Sequence, residues 1–256
     1  MKKLILLILI LLSTLNYAQT EITLGENDKL IYLDSTWIET SKENHEYYRI
    51  VKDYYSDKDL YKIYDFYKSG MLQKEGTSIT KEETSEEGEF IFYYENGRKK
   101  SVTNYIKSRP NGKCYEWYEN GNKKLEGEYI EDQKTFVAEL KVVQFWNSKY
   151  IQTVIDGSGD YEEVDEKFFA SGKIKDGFKD GFWQGYDKKL GYTFSENYEN
   201  KKIISGVSID SNKVTHNYKV VELRPEPKKG MMDFYKHVSK NFIVPDIKGL
   251  SGKIIV

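Results

Sequence analysis

The sequence predicts a mostly β protein: an elongated antiparallel sheet of β-hairpin repeats, a short linker, and an incomplete α/β tail with one amphipathic helix. Three observations lead to this prediction. A short aromatic phrase that ends in Gly recurs along the middle of the chain. Aromatic residues make up 15% of the chain and include 22 Tyr. Turn-forming residues separate the aromatic runs. Recurrence at about 25 residues is typical of repeat proteins, and aromatic residues favour pleated strands.

The chain begins with a pattern typical of a secretory signal peptide. Lys2 and Lys3 precede an unbroken run of Leu and Ile over residues 4–12, and Ala18 offers a small-residue cleavage point. The apolar run is shorter than the roughly 20 residues that a bilayer-spanning helix needs. We therefore expect residues 1–18 to be removed from an exported, periplasmic or envelope-associated protein without an integral membrane span. Retention of the segment as an anchor is the alternative.

The charge balance and the cysteine content narrow the classes of function. The 41 acidic residues nearly cancel the 39 basic ones, which argues against nucleic acid as a partner. Cys114 is the only cysteine, so an exported form of this chain has no internal disulfide. Stability must then come from burial and from strand pairing. We interpret Cys114 as a small filler within a strand.

Residues 19–59 are predicted to form an N-terminal capping segment, and residues 60–221 to form the repeats. The aromatic phrase ends at positions 70, 97, 121, 149, 172 and 201, so successive copies are 27, 24, 28, 23 and 29 residues apart. In the copies at 149 and 201, Lys occupies the Gly position. Terminal units of repeat proteins are usually atypical, which fits a separate capping segment.

Each phrase is predicted to reverse a hairpin. Asn96-Gly97 follows an aromatic run and precedes a polar one, and Asn-Gly favours a two-residue type I′ turn. The predicted turn glycines are Gly70, Gly97, Gly121 and Gly172. The predicted repeat aromatics are Tyr67, Tyr94, Trp117, Tyr118, Phe169 and Trp183. We interpret these residues as structural, with the alternative that an exposed aromatic row binds a glycan or a peptide.

Further glycines and turn formers complete the repeat pattern. Gly76, Gly127 and Gly206 follow their turns by five or six residues. A Gly inside a strand marks a bend, or a place where a neighbouring ring covers the backbone. Pro110-Asn111-Gly112 and Asp180-Gly181 are predicted to connect successive units.

The composition changes at residues 222–256. Pro225 and Pro227 disfavour regular structure and indicate a linker. Met231, Phe234, Val238 and Phe242 then recur at helical spacing, which predicts one amphipathic helix before a final strand. One helix and one strand bury too little surface to fold alone.

The hairpin units resemble MORN-type repeats of the variety found in exported bacterial proteins. The match is carried by Asn111–Gly121, by Leu125–Tyr129 and by Asp176–Trp183. It covers roughly residues 60–209. The resemblance implies a hairpin sheet that serves as a scaffold or a binding surface.

The tail resembles the opening of a TonB C-terminal domain. Lys229–Phe234, Ser239–Pro245 and Gly249–Ile254 carry this match. The arrangement is similar to exported "energy transducer TonB" proteins of Bacteroidetes-type bacteria, in which such repeats precede that domain. The resemblance implies strand addition to outer-membrane receptors by the complete domain. This chain stops near the first strand, so the resemblance implies a truncated domain.

No pattern in the sequence predicts a catalytic, cofactor-binding or metal-binding residue. His45, His216 and His237 do not have the spacing of metal ligands. We expect a non-enzymatic protein-binding scaffold of the cell envelope, linked to outer-membrane transport and with outer-membrane receptors as partners. The alternative is a glycan- or surface-binding module that uses exposed aromatics.

Overall fold

The structure, a computed structural model, describes residues 22–131 and 137–219. These residues form one open antiparallel sheet in which sixteen strands lie side by side in chain order. The prediction of a mostly β fold built from hairpins is confirmed. The predicted linker, helix and TonB-like tail of residues 222–256 lie outside the described residues, as does the predicted signal peptide of residues 1–18.

The strands are short and are joined by short connections. In chain order they are β1 Lys29–Leu33, β2 Tyr47–Val51, β3 Tyr61–Tyr67, β4 Leu72–Ser78, β5 Glu86–Tyr93, β6 Lys99–Ile106, β7 Arg109–Trp117, β8 Lys123–Glu131, β9 Ala138–Trp146, β10 Gln152–Ile155, β11 Ser158–Val164, β12 Phe168–Lys175, β13 Phe178–Asp187, β14 Tyr192–Glu199, β15 Lys202–Asp210 and β16 Thr215–Tyr218. β1 and β2 belong to the same sheet as the later strands, so residues 19–59 contribute strands to it.

At one end of the strands, several hairpins share a turn that closes with a residue in the left-handed region. In the β5–β6 turn, the Gly97 N–H donates to Tyr94 O (2.9 Å) and the Tyr94 N–H donates to Arg98 O (2.8 Å). Gly97 has a φ of 79°, whereas Asn96 is not among the residues with positive φ. This is a type I turn with a bulge, and not a type I′ turn. The same pattern recurs in turns that close at Gly70, Gly121, Tyr150 and Lys213.

The prediction that Asn-Gly forms a type I′ turn is therefore wrong for these hairpins. Asn-Gly fits both turn types, because the bulged turn also needs its Gly in the left-handed region. The Asn96 side chain adds to the bulged form, since its Oδ1 accepts from the Arg98 N–H at 3.0 Å. The predicted copy at Trp146–Lys149 is shifted by one residue, because its turn runs from Asn147 to Tyr150.

The two-residue turns lie at the opposite end of the strands. In each of them both central residues have positive φ, as type I′ geometry requires. They are Lys107-Ser108, Asp156-Gly157, Asp176-Gly177 and Asn200-Lys201. The connections predicted at Pro110–Gly112 and Asp180-Gly181 are wrong, because those residues lie within β7 and β13.

Gly172 lies in the middle of β12, so the prediction of a turn there is also wrong. It pairs with Tyr161 on one side and with Trp183 on the other. Its role is to leave room for a ring, since a Cβ at this position would overlap the indole of Trp183. The same relation holds for Gly76 under Phe90, Gly185 under Phe194 and Gly206 under Tyr218. In each case the ring comes from the next strand of the sheet and covers the preceding one.

Two of these four rings lie in the buried core. Phe90 and Trp183 are both 0% exposed. A continuous buried cluster extends from Cys114 in β7 to Trp183 in β13. The β10–β11 hairpin is short, and the strands on its two sides are in contact beyond it. There the Val142 N–H in β9 donates to Gly177 O (2.9 Å) in the β12–β13 turn.

The bulged turns yield a prediction with two opposite substitutions. Gly121→Val should lower the free energy of unfolding by at least about 1–2 kcal/mol, because a side chain in the left-handed region is strained. Tyr150→Gly should instead raise it by up to about 1 kcal/mol, since Tyr150 already has a φ of 62° at the equivalent position. Urea denaturation of the two variants and of the parent measures both. Equal effects of the same sign would contradict the shared turn geometry.

Candidate functional site

Three of the predicted repeat aromatics link one turn to the next. The Tyr67 hydroxyl donates to Tyr93 O, that of Tyr94 to Trp117 O, and that of Tyr118 to Trp146 O, each at 2.8 Å. The series ends at the next hairpin, where Asn147 occupies the equivalent position. These tyrosines therefore have a structural role, because their polar ends are satisfied within the sheet.

The other three predicted aromatics are also engaged by neighbours. Trp183 is buried and its Nε1–H donates to Lys173 O at 3.0 Å. Phe169 stacks on Tyr186 with ring centroids 5.7 Å apart. Trp117 lies 6.3 Å from the ring of Tyr115. The six aromatics are spread over the sheet and do not converge on one site.

The first strand has its outer edge partly covered. After the turn at Asp34–Trp37, the chain folds back along β1, where the Thr40 N–H donates to Tyr32 O (2.8 Å) and Glu39 pairs with Leu33. A covered edge cannot add a further strand at these residues, and covering is a common protection of sheet edges.

The outer edge of β16 is different. Within residues 22–131 and 137–219, β16 pairs with β15 alone. The hairpin closes with the bond from the Asp210 N–H to Val214 O, at 3.1 Å. Because bonded and non-bonded pairs alternate in an antiparallel ladder, the backbone groups of Thr215 and Asn217 point away from β15. Among the described residues these groups have no strand partner, so this edge can accept another strand.

A hollow lined by aromatic rings, together with Lys179, Glu196 and Ser208, lies on the sheet face next to this edge. It has a volume of about 410 Å³. We call it the aromatic hollow, and its rings are those of Phe168, Tyr192, Phe194, Tyr198 and Tyr218. The rings of Phe168 and Phe194 stack with centroids 6.1 Å apart. A strand added to β16 would place alternate side chains beside Tyr218 and therefore beside this hollow.

A buried carboxylate holds two of these rings in place. The hydroxyls of Tyr198 and Tyr218 donate to Oε2 and Oε1 of Glu196, each at 2.8 Å. Burial, followed by the hydrogen bond to Glu196, raises the pKa of both phenols above the ordinary value of 10.0. The phenols therefore stay protonated and keep donating at neutral pH.

Clusters of metal-binding side chains and long apolar helices are both absent from the described part of the chain. Residues 22–131 and 137–219 hold no group of three His, Cys, Asp or Glu side chains placed to bind a metal ion. Among the same residues there is no helix with the length and apolarity that a bilayer crossing requires.

Comparison with known proteins adds no assignment. No protein-family model matches the chain, and no curated protein or solved structure matches it significantly. The MORN-type and TonB-type resemblances therefore depend on the sequence motifs alone.

Sequence reasoning missed both the β16 edge and the aromatic hollow. β16 reads Thr-His-Asn-Tyr and lacks the apolar alternation of a strand. The hollow combines Phe168 with Tyr192, Phe194 and Tyr218, which meet only through strand register. The one available signal was the polar turn of residues 210–214, which has the spacing of the earlier turns.

Cys114 gives a pH prediction. Burial, followed by the charge of Glu116, raises the pKa of its thiol from 9.0 to about 12. The unfolded thiol ionises first, so the contribution of Cys114 to the free energy of unfolding should be constant below pH 9 and should fall between pH 9 and 12. Guanidinium denaturation at pH 7 and pH 10.5 measures this change, and Cys114→Ala should reduce it. The same burial should block thiol reagents at pH 8, and rapid labelling of the native protein would contradict it.

Proposed function

We propose that this chain is an exported, non-enzymatic protein-binding scaffold of the cell envelope that binds its partner by strand addition at β16. The observation that carries the proposal is the outward-facing backbone of Thr215 and Asn217 beside the aromatic hollow. Strand addition combines backbone hydrogen bonds, which give affinity, with side-chain pockets, which give specificity. β16 supplies the first and the aromatic hollow supplies the second.

The asymmetry between the two ends of the sheet supports a directed interaction. Residues 38–40 lie along β1, whereas no described residue lies along the outer side of β16. The hollow would accept apolar side chains of an added strand, next to the rings of Phe194 and Tyr192, which lie 6.0 Å apart. The expected partner segment is therefore extended and has apolar residues at alternate positions.

The cellular setting of the proposal comes from the sequence. The signal-peptide pattern supports export. The resemblance to TonB-type transducers supports a role connected with outer-membrane transport, with outer-membrane receptors as partners. The described sheet would then act as a binding platform that precedes the tail.

A proline substitution separates strand addition from the stability of the hairpin. Asn217→Pro removes an outward-facing N–H and should leave the β15–β16 ladder intact, because Pro is tolerated where an edge N–H faces solvent. We expect a photo-crosslinking residue at position 215 to capture an envelope protein in the parent chain and to lose this adduct in the Asn217→Pro background. The melting temperature should remain unchanged.

Two controls complete this experiment. His216→Pro removes an N–H that faces β15, so it should destabilise the hairpin. A crosslinker at Leu190, an exposed loop residue, should not give the same adduct. An adduct that persists in Asn217→Pro would contradict binding through the β16 edge.

The opposite face of the sheet favours a second candidate function, glycan binding. Phe182 is 54% exposed, and it lines another hollow, of about 450 Å³, together with Gln184. In the same hollow Lys173 pairs with Asp160 at 2.7 Å. An exposed ring beside planar polar groups suits a sugar ring, whose faces are apolar and whose edges carry hydroxyls.

Phe182→Ala tests this alternative. If the face binds glycans, the parent chain should bind members of a glycan array, and Phe182→Ala should weaken that binding at least tenfold. Leu190→Ala, which removes another exposed apolar side chain, should have no effect. Absence of glycan binding by the parent chain would exclude the alternative for the glycans on the array.

A further inference from the structure

A further hollow lies over β1 to β4, at the end of the sheet opposite to β16. Its volume is about 610 Å³. Its floor is a row of charged side chains, because Arg49, Asp65 and Lys74 are directly opposite one another on β2, β3 and β4. Arg49 and Lys74 line the hollow. We call it the β1–β4 hollow.

The charges on this floor do not balance. Arg49 Nε and Nη2 contact Asp65 Oδ1 and Oδ2 at 2.6 and 2.9 Å. Lys74 Nζ contacts the same Oδ2 at 3.1 Å. Asp65 is 0% exposed, so one buried anion serves two cations. Buried charges are normally paired, and a surplus cation in a low-dielectric site favours an additional anion.

Lys74 is the cation with spare hydrogen-bonding capacity. It is 8% exposed. Its ammonium group has three N–H donors, and Asp65 is its one oxygen partner among the described residues. The rings of Trp37 and Phe90 lie 5.6 and 5.7 Å from Nζ and stabilise the charge without accepting a conventional hydrogen bond. Arg49, by contrast, also donates to Thr84.

The remaining lining limits the kind of anion that fits. Ile31, Leu33 and Trp37 provide apolar surface next to the cations. The exposed carboxylates of Glu39, Glu82 and Glu83 also line the hollow, together with one further base, Lys29, so acids predominate outside the floor. These acids disfavour a multiply charged anion and favour basic groups near a single negative one. The volume lies within the range of about 300–1,000 Å³ that is usual for organic ligands.

We propose that the β1–β4 hollow binds the C-terminal carboxylate of a partner polypeptide at the cations of its floor, with the terminal side chain packed on Trp37 and with Lys or Arg among the preceding residues. A terminal carboxylate supplies one negative charge to the surplus cation. The basic residues before it meet the three glutamates. This proposal rests on the proposed protein-binding function and specifies a second contact at the far end of the sheet from β16.

A paired peptide experiment tests the proposal on the full chain. The probe is a fluorescent peptide pool with four randomised C-terminal positions, prepared once as free acids and once as C-terminal amides. We expect at least tenfold stronger binding to the acid pool, with enrichment of apolar last residues preceded by Lys or Arg. Lys74→Met should abolish this preference, while Asp65 keeps its two contacts with Arg49. Lys100→Met, at an exposed lysine near the Tyr94 ring, should preserve it.

Each other result would overturn the proposal. Equal binding of the acid and amide pools, or no binding of either, would exclude recognition of a terminal carboxylate. If acetate displaces the peptides at concentrations near the dissociation constant of acetate itself, the hollow is a site for small anions only. Unchanged acid preference in Lys74→Met, in a variant with an unaltered melting temperature, would exclude the hollow. Loss of the β16 adduct in Asn217→Pro is measured independently, so the two proposals fail separately.

Discussion

The described sheet depends on aromatic rings that lie flat over glycines of the adjacent strand. Within residues 22–131 and 137–219 no helix covers either face, so the sheet must bury its apolar surface with its own side chains. Phe90 over Gly76 and Trp183 over Gly172 show how this is achieved. A side chain in place of either Gly would overlap the ring above it, so ring and Gly have to be present together. The arrangement brings large apolar groups to the centre of a single sheet.

This pairing explains which parts of the fold could be predicted from the sequence. The spacing of aromatic residues and glycines indicated hairpin repeats, because both recur in most of the units. It did not indicate which Gly closes a turn, since Gly172 accommodates Trp183 while Gly121 adopts a left-handed turn conformation. The two roles require the same residue for different reasons, absence of volume in one case and freedom of φ in the other.

The candidate binding features were less accessible to sequence reasoning because they depend on register. Arg49, Asp65 and Lys74 are 16 and 9 residues apart, and no motif connects them. They meet because three strands align at those positions. The side of β16 that no other described strand covers likewise follows from the neighbours of that strand and not from its four residues. Both features lie at the ends of the sheet, where the repeat pattern is weakest.

The strictly sequential order of the strands also has a mechanical consequence. Every strand is bonded to the strands before and after it in the chain, and the Tyr67, Tyr94 and Tyr118 hydroxyls reach only to the next hairpin. Tension applied between the two ends of the sheet would therefore load most of these ladders in series and open them one after another, while the Val142–Gly177 bond and the shared buried cluster hold β9 to β13 together. Such a sheet would extend gradually at low force and would limit the tension passed to whatever is attached at either end.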